Sequence, residues 1–271
     1  MVVGVLFILI FIVFNGYRAY VDFNAIGDYE NRTAQLKTEY NTTPLSWQDF
    51  NEAFQHIHQF LYSNFEFYRS YTLEDQKEFS IRVFKFIENK RIVGMEEFEM
   101  TDEIKILVSI PAIRLTFGLD HFYLPTLKTI GVYPSIFYNR MIRKEVKGIT
   151  FKSGVMYLSY EHLIDGNKTE TDRINLGLHE MAHAFKIYIE QNVSIFSVLY
   201  DEMQEFNSHA EVMIELVRSG ELSYFRNYAG VNSHEFFAVS IENFFEEAEN
   251  FKLYMPETYH MLSNILNIKT A

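Results

Sequence analysis

Residues 179–183 read His-Glu-Met-Ala-His, inside a segment from about Thr171 to Gln191 that is patterned as a helix. Leu176, Leu178, Met181, Ala182 and Phe185 make this helix apolar enough to lie in an interior. Side chains four apart on a helix stand one above the other, so His179 and His183 point from one face at a spot about one metal ion wide. Zinc suits such a pair. Glu180 lies on the adjoining face, where it can take a proton from a water activated by the ion and pass it to a leaving amine. The ion lowers the pKa of that water from near 16 toward about 7. The competing reading, a pair of core histidines with no metal, leaves two imidazoles and a carboxylate with an uncompensated desolvation cost. Any fold this chain adopts must bring partners to these three side chains.

A catalytic zinc site holds three protein ligands and keeps a fourth position open. The chain has no cysteine, so thiolate ligands, cysteine nucleophiles and disulfides are excluded, and the third ligand must offer nitrogen or oxygen. Its 271 residues are 48% hydrophobic and 17% aromatic, enough apolar surface to offset the ordering entropy of a folded enzyme. The formal net charge of -12 repels phosphate backbones, so nucleic acid is not an expected partner.

Met1 to Phe14 carries no ionisable side chain, and the run extends only to Tyr17 before Arg18. A full crossing needs roughly 20 residues, so this segment must use its interfacial flank, with Tyr17 and Tyr20 at the headgroups. No basic residue precedes the run and no small-x-small cleavage site follows it, so 1–20 is read as a membrane anchor rather than a cleaved leader. A buried N-terminal helix is the bland alternative. The charges after the run are mixed, so the side of the membrane is open. Residues 21–45 read as a linker, and 46–271 as the peptidase domain.

Within that domain, Trp47, Phe50, Phe54, Ile57 and Leu61 recur at helical steps behind Thr43 or Ser46 as cap. A second helix is expected after Thr72, with Phe79, Val83, Phe84 and Ile87 on one face. A third starts at Thr101, is apolar nearly all round, and contains Pro111 as an expected kink. Thr129 to Phe137 and Gly154 to Tyr160 read as strands of a small sheet, followed by a turn at Asp165-Gly166. Helices are expected again over Val198 to Ser219, Ser233 to Glu249, and after Pro256.

The segment YAGVNSHEFFAVSIENFF, Tyr228 to Phe245, resembles the corresponding region of the Mlc titration factor A family, zincin peptidases whose core is similar to that of anthrax lethal factor. TDEIKILVSIPAIRLTFGLD, IGVYPSIF and GVMYLSYEHLIDG extend the resemblance upstream, so that it covers the chain from about Trp47 to its end. The resemblance implies an α+β, mainly helical zincin fold with a small sheet beside the H-E-x-x-H helix. It implies Glu235, in EFFAV, as third zinc ligand and Tyr228 as a phenol pointing into the site. It also implies that Val155 to Ser159 is the sheet edge on which an extended substrate adds as a strand. Two departures stand out: Phe185 and Lys186 replace a Leu-Asp pair, and Val239 takes the place where many glutamate-ligand zincins carry an acid.

From the residues alone, Glu235 could instead close a capping box with Asn232. Tyr228 could pack its ring, or donate a hydrogen bond to the oxyanion of a tetrahedral intermediate. Glu242, two turns beyond Glu235, could orient a ligand imidazole or sit in solvent. His234 and His209 are further candidates for metal or substrate contact. The expected activity is zinc-dependent hydrolysis of peptide bonds, with small peptides cut near the amino end as the resemblance implies. The alternative is a regulatory binding protein that captures a partner such as a transcriptional repressor, with little proteolysis.

Overall fold

A computed structural model describes residues 47–168 and 173–268. The anchor and linker assigned to 1–45, and the Thr43 and Ser46 caps, lie outside the described residues. Among the described residues no helix is long and apolar enough to cross a membrane. The fold is α+β and mainly helical, with one small mixed sheet.

The chain opens with α1 (Trp47–Asn64), α2 (Glu66–Ser70) and α3 (Leu73–Asn89). Ile57 and Leu61 of α1 and Phe79, Val83 and Phe86 of α3 are buried, as their spacing requires. Thr72 caps α3 by accepting from the Asp75 amide, and its first turn carries Glu74 and Asp75, the charges a helix start favours. α4 (Asp102–Thr116), capped by Thr101, is buried on almost every side and runs on through Pro111.

Strands β1 (Arg91–Gly94), β2 (Thr129–Tyr133), β5 (Gly148–Phe151) and β6 (Val155–Ser159) form one sheet in the order β1-β2-β6-β5. β1, β2 and β6 are parallel, and β5 returns antiparallel along β6. Two expectations change here. β6 lies inside the sheet, flanked on both sides, so the edge nearest the histidine helix is β5 and not Val155–Ser159. β1, only four residues long, is too short for its alternation to be read from sequence. The expected Thr129 to Phe137 strand divides at Pro134, and its second part, β3 (Phe137–Asn139), pairs with β4 (Lys144–Val146) as a separate hairpin.

The Asp165-Gly166 turn is also corrected, because both residues lie within α5 (Tyr160–Lys168). Gly166 is used there for close approach: a Cβ would stand 3.0 Å from the Asn175 backbone. α6 (Leu176–Gln191) starts later than expected, at the Asn175 cap, whose side chain accepts from the Leu178 amide. After it come α7 (Ser197–Ser219), a 3-10 turn (Asn227–Gly230), α8 (Ser233–Glu246), α9 (Ala248–Tyr254) and α10 (Pro256–Ile265). The single helix expected over Ser233 to Glu249 breaks at Glu247. Residues from all these layers join one hydrophobic core, with α6 packed between α4, α8 and the sheet.

Candidate metal centre

His179 and His183 leave α6 on the same face, with their Nε2 atoms 3.2 Å apart. α8 crosses this face and brings the Glu235 Oε2 to 3.0 Å from the His179 Nε2 and 3.4 Å from the His183 Nε2. Asn232 does cap α8, accepting from the His234 and Glu235 amides, so the capping reading is half right. The Glu235 carboxylate, however, turns to the histidines instead of to the helix end.

Three atoms bound at about 2.0–2.2 Å to one tetrahedral ion lie roughly 3.3 Å from one another. The observed 3.0, 3.2 and 3.4 Å surround that value, so the His179, His183 and Glu235 side chains fit a metal ion. Proton bookkeeping points the same way. Glu242 Oε1 lies 2.7 Å from His179 Nδ1, and a carboxylate acceptor there places a proton on Nδ1, leaving Nε2 as the atom that faces the centre. The two Nε2 atoms and a carboxylate oxygen meet there, and positive charge, either an ion or a ring proton that an ion would displace, satisfies them. Burial disfavours a charged His179, yet its hydrogen bonds to Glu235 and Glu242 outweigh this and push the ring up to about 10. Burial pushes Glu235 up, and the two histidines more than reverse it, holding the carboxyl well below the usual carboxylate range. The surroundings therefore favour positive charge at the point of convergence.

Glu242, buried in α8, is tied on both oxygens. Arg226 donates to Oε1 at 2.6 Å and to Oε2 at 3.0 Å, and the Asn175 amide donates to Oε2 at 2.8 Å. Arg226 also donates to the Arg173 carbonyl, joining the segments ahead of α6 and α8. Sequence reasoning did not single out Arg226. Its partners are 16 and 53 residues away, and nothing local distinguishes it among 24 basic residues.

Glu180 is buried beside the centre. Thr150 of β5 donates to its Oε2 at 2.7 Å, and a Cβ on Gly148 would come within 2.7 Å of its Oε1. A side chain at 148 would displace the Glu180 carboxylate, because β5 passes close over it. Burial raises the Glu180 pKa, and the neighbouring histidines and the Thr150 hydrogen bond only partly offset it. A carboxylate in that state is a stronger base than one in water.

Tyr228, on the 3-10 turn, is half-exposed with its ring 5.7 Å from His179. Burial and the negative charges of Glu235 and Glu180 push its phenol up to about 12, so it keeps its proton. His234 lies beyond His183, 3.8 Å from Glu190. His209 bonds Thr258 between α7 and α10, remote from the centre, as a packing histidine. Val239 is buried in the core, and the carboxylate that contacts His179 from this helix is Glu242. Lys186, 1% exposed, donates to Asn207 of α7 and lies over the Phe237 ring.

A cleft of about 480 Å³ opens beside the centre. Gly148, Leu176, His179, Glu180, Arg226 and Tyr228 are among its walls.

In comparison with known proteins, residues 44–266 match the family described as glucose-regulated metallo-peptidase M90. An uncharacterized protein of Synechocystis sp. is 22% identical over 240 residues, covering 80% of this chain and 87% of that protein.

Proposed function

The chain belongs to the glucose-regulated metallo-peptidase M90 family, and from that premise we propose that it hydrolyses peptide bonds at a zinc ion held by His179, His183 and Glu235. The observation that carries this reading is the meeting of three ligand atoms beside a buried carboxylate of raised pKa, at the end of a cleft bordered by a sheet edge. The resemblance to the Mlc titration factor A family, and through it to the lethal factor core, supports the same ligand assignment. When bound, the ion supplies Lewis acidity that makes a water nucleophilic near neutral pH.

The chain's own residues do the rest. Glu180 takes the proton of the attacking water and hands it to the leaving amine, with Thr150 fixing its carboxylate. Tyr228, protonated at neutral pH, donates to the oxyanion of the tetrahedral intermediate. Glu242 holds the His179 ring with its proton on Nδ1, and Arg226 holds Glu242.

β5 is the strand on which substrate adds. Antiparallel addition, the stronger pairing per residue, runs the peptide from the Phe151 end toward Gly148. The residue after the scissile bond then faces the cleft. Upstream, β5 ends at Phe151, leaving ladder positions for about two residues, which favours cutting near the amino end of small peptides. The apolar run Met1 to Phe14 tethers the enzyme to a membrane.

The test is metal analysis joined to turnover. The purified chain should hold about one zinc per molecule, cleave peptides, lose turnover in chelator and regain it with added zinc. A regulatory binding protein would capture its partner with no turnover to lose, and that result would overturn the peptidase reading.

A further inference from the structure

The β3–β4 hairpin carries a surface that the peptidase reading does not use. Of the large apolar side chains that the described residues expose, four fall within seven positions here. Ile136 is 46% exposed, Tyr138 59%, Met141 78% and Ile142 44%. Arg140, Arg143, Lys144 and Lys147 interleave with them, against the single acid Glu145, in a chain whose net charge is -12. Among the described residues none of these four cations pairs with a carboxylate.

The tip is held in shape. Asn139 Oδ1 accepts from the Met141 amide at 2.9 Å and from the Ile142 amide at 3.3 Å, closing the turn. Phe137 is buried at the base, stacked on Tyr133 with ring centroids 4.0 Å apart. Met141 and Ile142 are thus presented to solvent by a built turn, at the cost of exposing apolar surface that a shorter or polar turn would avoid.

We infer that the β3–β4 hairpin docks on an anionic lipid surface, dipping Met141 and Ile142 below the headgroups while Arg140, Arg143 and Lys144 meet lipid phosphates. Charge complementarity selects this occupant. Cations ringing apolar tips match an interface with anionic headgroups outside and acyl chains inside, where long basic side chains reach back to the charged layer. An acidic peptide would use the cations and leave the apolar tips in water. Each cation near such a surface multiplies binding roughly fivefold. The hairpin runs straight into β5, so docking would set the mouth of the cleft at the membrane face.

The absence of cysteine makes the test direct. Met141→Cys in the full chain, carrying an environment-sensitive fluorophore, is mixed with phosphatidylcholine vesicles with or without about one-third phosphatidylserine. Val212→Cys, on an exposed position of α7, serves as control. Sedimentation reports attachment by any route, the N-terminal run included, and the label alone reports dipping of the tip. The expected result is a blue shift at position 141, absent at 212, that requires phosphatidylserine. It should weaken at least tenfold in lipid affinity in Arg140→Gln/Arg143→Gln/Lys144→Gln or in high salt. An unshifted label on sedimented protein, failure to sediment with anionic vesicles, or an equal shift on neutral vesicles would overturn the inference. So would a shift produced by an acidic peptide and not by vesicles, which would reassign the hairpin to substrate.

Discussion

α4 and α6 pack against each other, closely enough that a Cβ on Gly177 would meet the Pro111 ring at 2.5 Å, and both are buried along most of their length. They handle polarity to different degrees. In α4 the buried hydroxyls of Ser109 and Thr116 bond back to carbonyls of their own helix, and Ile104, Ile106, Val108, Ile110, Ile113 and Leu115 fill the surroundings. α6 buries His179, Glu180 and Lys186, whose partners come from β5, α7 and α8. α4 reaches outside itself at Arg114, which donates to the Phe245 carbonyl at 3.3 Å and lies over the Phe67 ring, whereas α6 depends on distant segments for a buried imidazole, carboxylate and ammonium together. The lesson is that the candidate site resides in the helix that buries several kinds of titratable group at once, each held by a different segment.

The sharpest way to break this contrast is Glu180→Gln. It should cut peptide turnover by about 10²–10⁴-fold while metal content and unfolding free energy stay near wild type. Full activity in that variant would remove Glu180 as base. The counterpart in α4, Ile110→Ala, should cost about 2–5 kcal/mol in denaturant unfolding, with metal still bound by the folded fraction.

Lys186 tests the same idea through pH. Burial lowers its pKa from 10.5 to about 8. The unfolded chain therefore binds more protons between those values, and stability rises as pH climbs from about 8 to 10.5, by on the order of 3 kcal/mol. Denaturant titrations at several pH values should show this rise in the wild type and lose it in Lys186→Met, which should be the more stable protein near pH 7. The smallest effect is expected at Arg226. Arg226→Gln loosens Glu242 and, through it, His179, so zinc affinity measured by competition with a chelator should fall about 10–100-fold. Unchanged affinity would show that the Asn175 amide holds Glu242 without help.

Much of the scaffold was legible because helix periodicity and caps are local. Thr72 and Thr101 cap where expected, and Phe79, Val83 and the α4 isoleucines are buried as their spacing requires. The Asp165-Gly166 pair misled, since its glycine serves the approach of Asn175 inside a helix and not a turn. β5 rather than β6 forms the edge because strand order depends on which segments pair, and the alternation of either strand is the same in both positions.

The sequence by itself determined that His179 and His183 share a helical face with Glu180 beside them, since four residues make about one turn whatever surrounds them. Tertiary structure alone decided that the Glu235 carboxylate turns inward from a capped helix start, that Arg226 and Asn175 clamp Glu242, and that β5 covers Glu180. Those contacts join segments separated by 16 to 67 residues, and such separations carry no period that a local pattern could reveal.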